Sequence, residues 1–186
     1  WNANRVTYTD DTNTTVAVTP SMTIKNSTFD GNWAVRDGGG VYVEATVKVQ
    51  SCEFKNNEAG GRGGAIAQQV YSNEARMLGS SGTDEATNLD LTAASGGTAT
   101  KIYNNKAVHG GGISITTSKT VSMPDDLASY PVKFTLGGAQ VYQNYATRNG
   151  GGVYYSATTY PNDTHAQGQV DRFQKEILLN SGTIYS

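Results

Sequence analysis

The apolar and polar positions along this chain fall into a unit that recurs. It runs apolar-x-x-Asn-x-Ala, then a short turn, a glycine run and a segment rich in Val, Ile and Tyr. Four copies are legible: Phe29-Asp30-Gly31-Asn32-Trp33-Ala34 ahead of Gly38-Gly39-Gly40-Val41; Phe54-Lys55-Asn56-Asn57-Glu58-Ala59 ahead of Gly63-Gly64-Ala65-Ile66; Ile102-Tyr103-Asn104-Asn105-Lys106-Ala107 ahead of Gly110-Gly111-Gly112-Ile113; and Val141-Tyr142-Gln143-Asn144-Tyr145-Ala146 ahead of Gly150-Gly151-Gly152-Val153. Short β-branched and aromatic runs bounded by Gly and Asn read as strands between tight turns, not as helices. A lead strand precedes most copies, its inward residue five positions before the apolar anchor: Ile24 before Phe29, Val49 before Phe54, Leu136 before Val141, Leu179 before Ile184.

A unit of this length holds about three short strands and cannot enclose a core alone. Stacking solves the problem, because each strand then pairs with its equivalent one rung away, at about 4.8 Å. The predicted fold is therefore all-β: a right-handed parallel β-helix, or β-solenoid, of about five to seven rungs, forming a single domain over residues 1–186. The anchors Phe29, Phe54, Ile102, Val141 and Ile184 would line one interior column, and Asn32, Asn57, Asn105 and Asn144 a second, an amide ladder. The glycine runs would supply positive φ and close backbone approach at a corner. The fifth copy stops at Ser186, one residue before its expected Asn, so the solenoid is expected to continue in a longer parent. Other readings fit less well. A flexible linker lacks the strand-spaced Val, Ile and Tyr, a phosphate loop would need Lys-Ser/Thr and a helix, and a β-propeller would need repeats near 40–45 residues.

These residues resemble the repeats of chlamydial polymorphic outer membrane proteins, which carry Phe-x-x-Asn and Gly-Gly-Ala-Ile tetrapeptides. Phe29-Asp30-Gly31-Asn32 and Phe54-Lys55-Asn56-Asn57 match the first; Gly63-Gly64-Ala65-Ile66 matches the second. The other copies are degenerate, with Ile102 and Val141 in place of Phe. The resemblance implies a passenger-type surface adhesin with a β-helical stalk on a bacterial cell surface. It carries over no catalytic residue, because the motif contains none.

The anchors are separated by 25, 48, 39 and 43 residues. The excess is expected after the glycine-led strand each time, in segments of approximately 68–96, 116–131 and 156–175, which would leave one side of the solenoid. Insertions clustered on one face are often the binding face of a repeat protein. The candidate ligand-binding residues there are Tyr71, Tyr130, Tyr155 at the base of the third segment, Tyr160, Asp163 and His165. Tyrosines offer flat stacking surfaces and Asp accepts from hydroxyls, so a host glycan or surface protein is the expected partner. The same segments read equally well as coverings of the sheet. Arg36, Arg62, His109 and Arg148 occupy nearly the same turn in four copies; stacked, they would form a positive stripe, though solvated turn charges are the plainer reading.

Charge and composition narrow the function further. The formal net charge is −2, which gives no reason to expect nucleic acid. No apolar run has the length of a transmembrane helix, so this segment is not expected to insert in a membrane. Cys52 is the single cysteine, which removes disulfides and cysteine zinc sites, and a buried inert thiol is expected. His109 and His165 lack ligand-spaced partners, so no metal or other cofactor is expected. Some β-helices are polysaccharide lyases or hydrolases, which need carboxylates converging on a rigid cleft. The candidates Asp84, Glu85, Asp90, Asp125, Asp126 and Asp163 all fall in the inserted segments, which favours a non-catalytic binding scaffold over an enzyme; a passive stalk is the third reading.

Overall fold

A computed structural model of the chain describes residues 6–9, 15–18, 21–72, 87–93, 95–119, 132–158, 175–178 and 182–185. The first described element is a hairpin, β1 (Val6–Thr9) against β2 (Thr15–Val18), antiparallel, with Val6 opposite Val18. Every described strand after it pairs in parallel. The first coil contains β3 (Ser21–Lys25), β4 (Thr28–Asp30), β5 (Trp33–Ala34) and β6 (Val41–Val43). The second repeats that order as β7 (Thr46–Gln50), β8 (Glu53–Lys55), β9 (Glu58–Ala59) and β10 (Ile66–Ser72), and the third as β11 (Thr87–Asp90), β12 (Lys101–Tyr103), β13 (Lys106–His109) and β14 (Ile113–Lys119). The fourth is β15 (Val132–Thr135), β16 (Gln140–Tyr142), β17 (Tyr145–Asn149) and β18 (Val153–Thr158), and a fifth begins with β19 (Lys175–Leu178) and β20 (Thr183–Tyr185).

Equivalent strands stack into four parallel sheets, in the orders β3-β7-β11-β15-β19, β4-β8-β12-β16-β20, β5-β9-β13-β17 and β6-β10-β14-β18. We call these the lead, anchor, corner and glycine sheets. The fold is thus the expected parallel β-helix, with one correction: each of the first four coils has four strands, not about three. The Asn-x-Ala segment, expected only to turn the chain, makes a short strand of its own.

The anchors stack in register. Phe29 pairs with Phe54, Phe54 with Ile102, Ile102 with Val141 and Val141 with Ile184. The Phe29 and Phe54 rings lie parallel with centroids 4.5 Å apart. Facing them across the interior are Val47, Leu89 and Phe134, then Val49, Leu91 and Leu136, and from the glycine sheet Ile66, Ile113 and Ile115, all buried. Parallel sheets with a shared dry interior exclude water from one face of every strand, and this burial is the main force holding the coils together.

Two polar devices set the corners. In the first, the residue before each ladder Asn lies in the left-handed region: Gly31 (φ 67°), Asn56 (56°), Asn104 (54°) and Gln143 (51°). That single residue turns the chain from the anchor sheet into the corner sheet and aims the following Asn inward. The ladder then forms. The backbone N–H and Nδ2 of Asn32 both donate to Oδ1 of Asn57, at 3.0 and 2.9 Å. Asn57 repeats this toward Asn105, and Asn105 toward Asn144. The second Nδ2 hydrogen reaches back one coil, from Asn57 to the Phe29 carbonyl, from Asn105 to Phe54 and from Asn144 to Ile102. Asn57 and Asn105 are wholly buried, and each amide there is used on both sides.

The second device is the glycine corner. Gly38, Gly63, Gly110 and Gly150 take φ between 63° and 71°. In the first three coils the next glycine has no room for a side chain: a Cβ on Gly39 would meet the Gly64 oxygen at 2.3 Å, and one on Gly64 would meet the Gly111 oxygen at 2.2 Å. Coil-to-coil backbone bonds cross this point, such as Gly63 N–H to the His109 carbonyl at 2.9 Å.

The third coil departs from the expected spacing. Leu89 pairs with both Val47 and Phe134, so β11 is the lead strand of that coil. Residues 87–93 therefore belong to the rung, not to the first insertion as its expected limits of 68–96 imply. The lead residue Leu91 precedes Ile102 by eleven positions instead of five, the extra residues forming an excursion at 92–100. Thr100 closes that excursion, its Oγ1 accepting from the buried Cys52 N–H at 3.3 Å. Cys52 itself is buried, its Sγ against the Gln50 carbonyl at 3.2 Å.

Candidate functional site

The solenoid has one corner where the chain leaves it repeatedly. After β10, β14 and β18, three neighbouring strands of the glycine sheet, the chain re-enters at β11, β15 and β19, three neighbouring strands of the lead sheet. The insertions therefore depart from and return to the same corner of successive coils, as their spacing implies. Their limits are narrower than expected, because the strands run further: the segments between strands are 73–86, 120–131 and 159–174.

The candidate residues separate accordingly. Tyr130, Tyr160, Asp163 and His165 lie outside the described residues, as do the loop carboxylates Asp84, Glu85, Asp125 and Asp126. Tyr71 is on β10, opposite Ser118, near the end of the strand and next to the insertion corner. Tyr155 is not a loop residue. It pairs with Ile115 on β18, and its ring packs against the core in the column of Val43, Gln68 and Ile115. Its buried hydroxyl has no hydrogen-bond partner in the structure, and burial pushes its pKa above the usual phenol value. Gln68 lies in the same column, its Nε2 donating to the Ala45 carbonyl at 3.0 Å. Tyr155 thus packs, half-buried, against the core from the strand that leads into the insertion corner.

Asp90 is likewise a rung residue. It accepts from the Thr92 N–H at 3.0 Å and faces Lys48 of the previous coil at 3.9 Å, which makes it a turn-closing carboxylate. Among the described residues no three His, Cys, Asp or Glu side chains gather as a metal site would require.

The basic turn residues do not stack into a single stripe. Arg62 bridges to His109, and His109 pairs with Asn149, not with Arg148, across an irregularity in β13 and β17. The position equivalent to Arg62 in the first coil belongs to Asp37, whose carboxylate accepts the Arg62 N–H at 2.7 Å. That column therefore reads Asp37, Arg62, His109, Asn149. Arg36 and Arg148 sit one residue earlier in their coils. The shift of one position breaks the stripe and places a carboxylate at one end of it. His109 is held between the Tyr154 ring, with centroids 5.0 Å apart, and the Asn149 amide, 3.2 Å from its Nδ1.

An aromatic column that the repeat pattern does not single out lies on the outer face of the anchor sheet. Tyr103, Tyr142 and Tyr185 follow one another in register, their rings nearly parallel and 5.0 and 5.1 Å apart. Below them in the same column are Lys55 and Asp30. Tyr103 donates to Glu53 Oε1 at 2.7 Å, and Lys55 lies 3.2 Å from Glu53 and 3.7 Å from Asp30. The Tyr103 hydrogen bond, followed by that of Lys55, holds the Glu53 carboxyl below its ordinary value. The signal was present in the repeat, since each of these tyrosines follows its anchor directly and strand alternation sends it outward.

Residues 26–44 and 51–69 match the model of the Chlamydia polymorphic membrane protein repeat. The matched stretches are two successive turns through the anchor, corner and glycine sheets, so the likeness falls on the first two coils. No curated protein and no solved structure matches the chain.

Proposed function

We propose that this chain is a non-catalytic, cell-surface β-helical segment that binds a host glycan or surface protein through its three insertions. The observation that carries the reading is topological. One corner, between the glycine and lead sheets, releases chain on three successive coils, while the remaining corners stay tight over most of the stack. A rigid rod that varies mainly on one edge is built to present that edge. The membrane-protein repeat in the first two coils supports a location at the bacterial outer surface.

The test removes the edge and leaves the rod. Replacing 159–174 by a short glycine-containing turn should leave the circular-dichroism spectrum β-rich and abolish, or weaken by at least about tenfold, binding to host cells or a glycan array. Unchanged binding would reject the proposal for that insertion. Unchanged binding after all three replacements would leave the rod as a spacer.

A further inference from the structure

The outer face of the anchor and corner sheets lies away from the insertion corner and is built differently. In the corner sheet, Trp33, Glu58, Lys106 and Tyr145 follow one another in register. The two aromatic ends are 67% and 60% exposed, more than any other aromatic side chain among the described residues, and each presents an amphipathic ring to solvent. Between them Lys106 Nζ meets Glu58 Oε1 at 2.8 Å. Three coil steps at the usual strand spacing put the two aromatics about 14 Å apart. Beside this column runs the left-handed ridge, where Asn104 and Gln143 are exposed.

Along the Trp33–Tyr145 column and the anchor-sheet columns beside it the charges cancel, while Arg148, further along β17, stays exposed as an added cation. Asp30, Glu53 and Glu58 are matched by Lys55, Lys101 and Lys106, and the close pairs among them hold each other. Columns whose charges pair off give little attraction to a sialylated or sulfated chain. What it does offer is two open aromatic rings at the ends of a straight track, with amides, a carboxylate and an ammonium group between them as donors and acceptors for hydroxyls. Sugar rings present C–H faces to aromatics and hydroxyls at their edges. We infer that the outer face of the corner sheet, from Trp33 to Tyr145, is a binding track for an extended neutral oligosaccharide lying along the solenoid axis. The track is independent of the insertions, so it stands or falls apart from the function proposed above.

The test uses the full chain with Trp1→Phe, which leaves Trp33 as the only tryptophan. Titration with oligomers of glucose and of N-acetylglucosamine, followed by Trp33 fluorescence and calorimetry, should give saturable binding to at least one series. Affinity should rise from dimer to tetramer and be unchanged by added salt. Tyr145→Ala should weaken it by about tenfold, as should Trp33→Ala read by calorimetry. Replacement of 159–174 should leave it intact. No saturable binding to either series, or binding that Tyr145→Ala does not alter, would overturn the inference. So would loss on replacing 159–174, or a salt-sensitive preference for sulfated oligomers, which would move the ligand to the insertions or to the arginine-bearing turns.

Discussion

At the scale of single residues, the Asn ladder and the turn before it hold most of the specificity. Truncating Asn57 removes an acceptor shared by two Asn32 donors and a donor to the Phe29 carbonyl. Asn57→Ala should therefore destabilise the fold by about 3 kcal/mol or more, since each buried group left unpaired costs about 1–3 kcal/mol; a denaturant titration measures it. The neighbouring turn predicts the opposite sign. Gln143 holds φ 51° where the other coils have Gly or Asn. Gln143→Gly relieves a left-handed strain of about 1 kcal/mol and should raise the midpoint of unfolding. Glu53 and Tyr103 make a pH prediction. The carboxyl is held below its usual 4.5 first by the Tyr103 hydrogen bond, so its contribution is full above that value and fades as pH falls through the lowered one. The phenol is raised above 10.0 first by Glu53, so its contribution is full below that value and fades as pH climbs through the raised one. Tyr103→Phe should flatten both limbs of a melting-temperature profile against pH, by a small amount because the pair is solvent-screened.

At the scale of elements, the glycine run divides into positions with different tolerances. A Cβ at Gly64 meets the Gly111 oxygen at 2.2 Å and the Lys106 oxygen at 2.6 Å, both backbone, so neither can swing away. Gly64→Ala must push adjacent coils apart and should cost at least about 3 kcal/mol or prevent folding. Gly31 is the control. It also has positive φ, 67°, but nothing lies within 4 Å of a Cβ there, and Asn fills the equivalent place in the next two coils. Gly31→Asn should change stability by less than about 1 kcal/mol. Chemical unfolding of the two variants side by side separates close approach from backbone strain as the reason for glycine.

At the scale of the whole molecule, each coil rests only on its neighbours, and the interior residues are unequal for that reason. Phe54 is fully buried with a coil on either side, whereas Ile184 in the same column is 47% exposed. Phe54→Ala should lower stability by about 3–5 kcal/mol, and Ile184→Ala by less than about 1 kcal/mol, although both are anchors of one motif. Equal effects in equilibrium unfolding would contradict the stacked arrangement.

The chain by itself determined the parts that repeat. The anchors, the ladder Asn and the glycine runs recur because each must sit above its own kind, so their spacing reports the register of the coils. From that the parallel β-helix, the interior columns and the corner that releases the insertions all followed. Four features waited for the tertiary structure because they arise between coils and not along them. The short corner strand takes its hydrogen bonds from neighbouring coils, so its two to five residues carry no pattern of their own. Leu89 and Leu91 lie eleven or more residues ahead of Ile102, and only pairing with Val47 and Phe134 identifies them as rung residues. Arg36 and Arg62 look equivalent on paper, yet a displacement of one residue puts Asp37 in the arginine's column. Tyr155 follows the glycine-led strand in the sequence like a ring at a loop base, but strand parity turns it toward the core, because a single position decides which face of a sheet a side chain occupies.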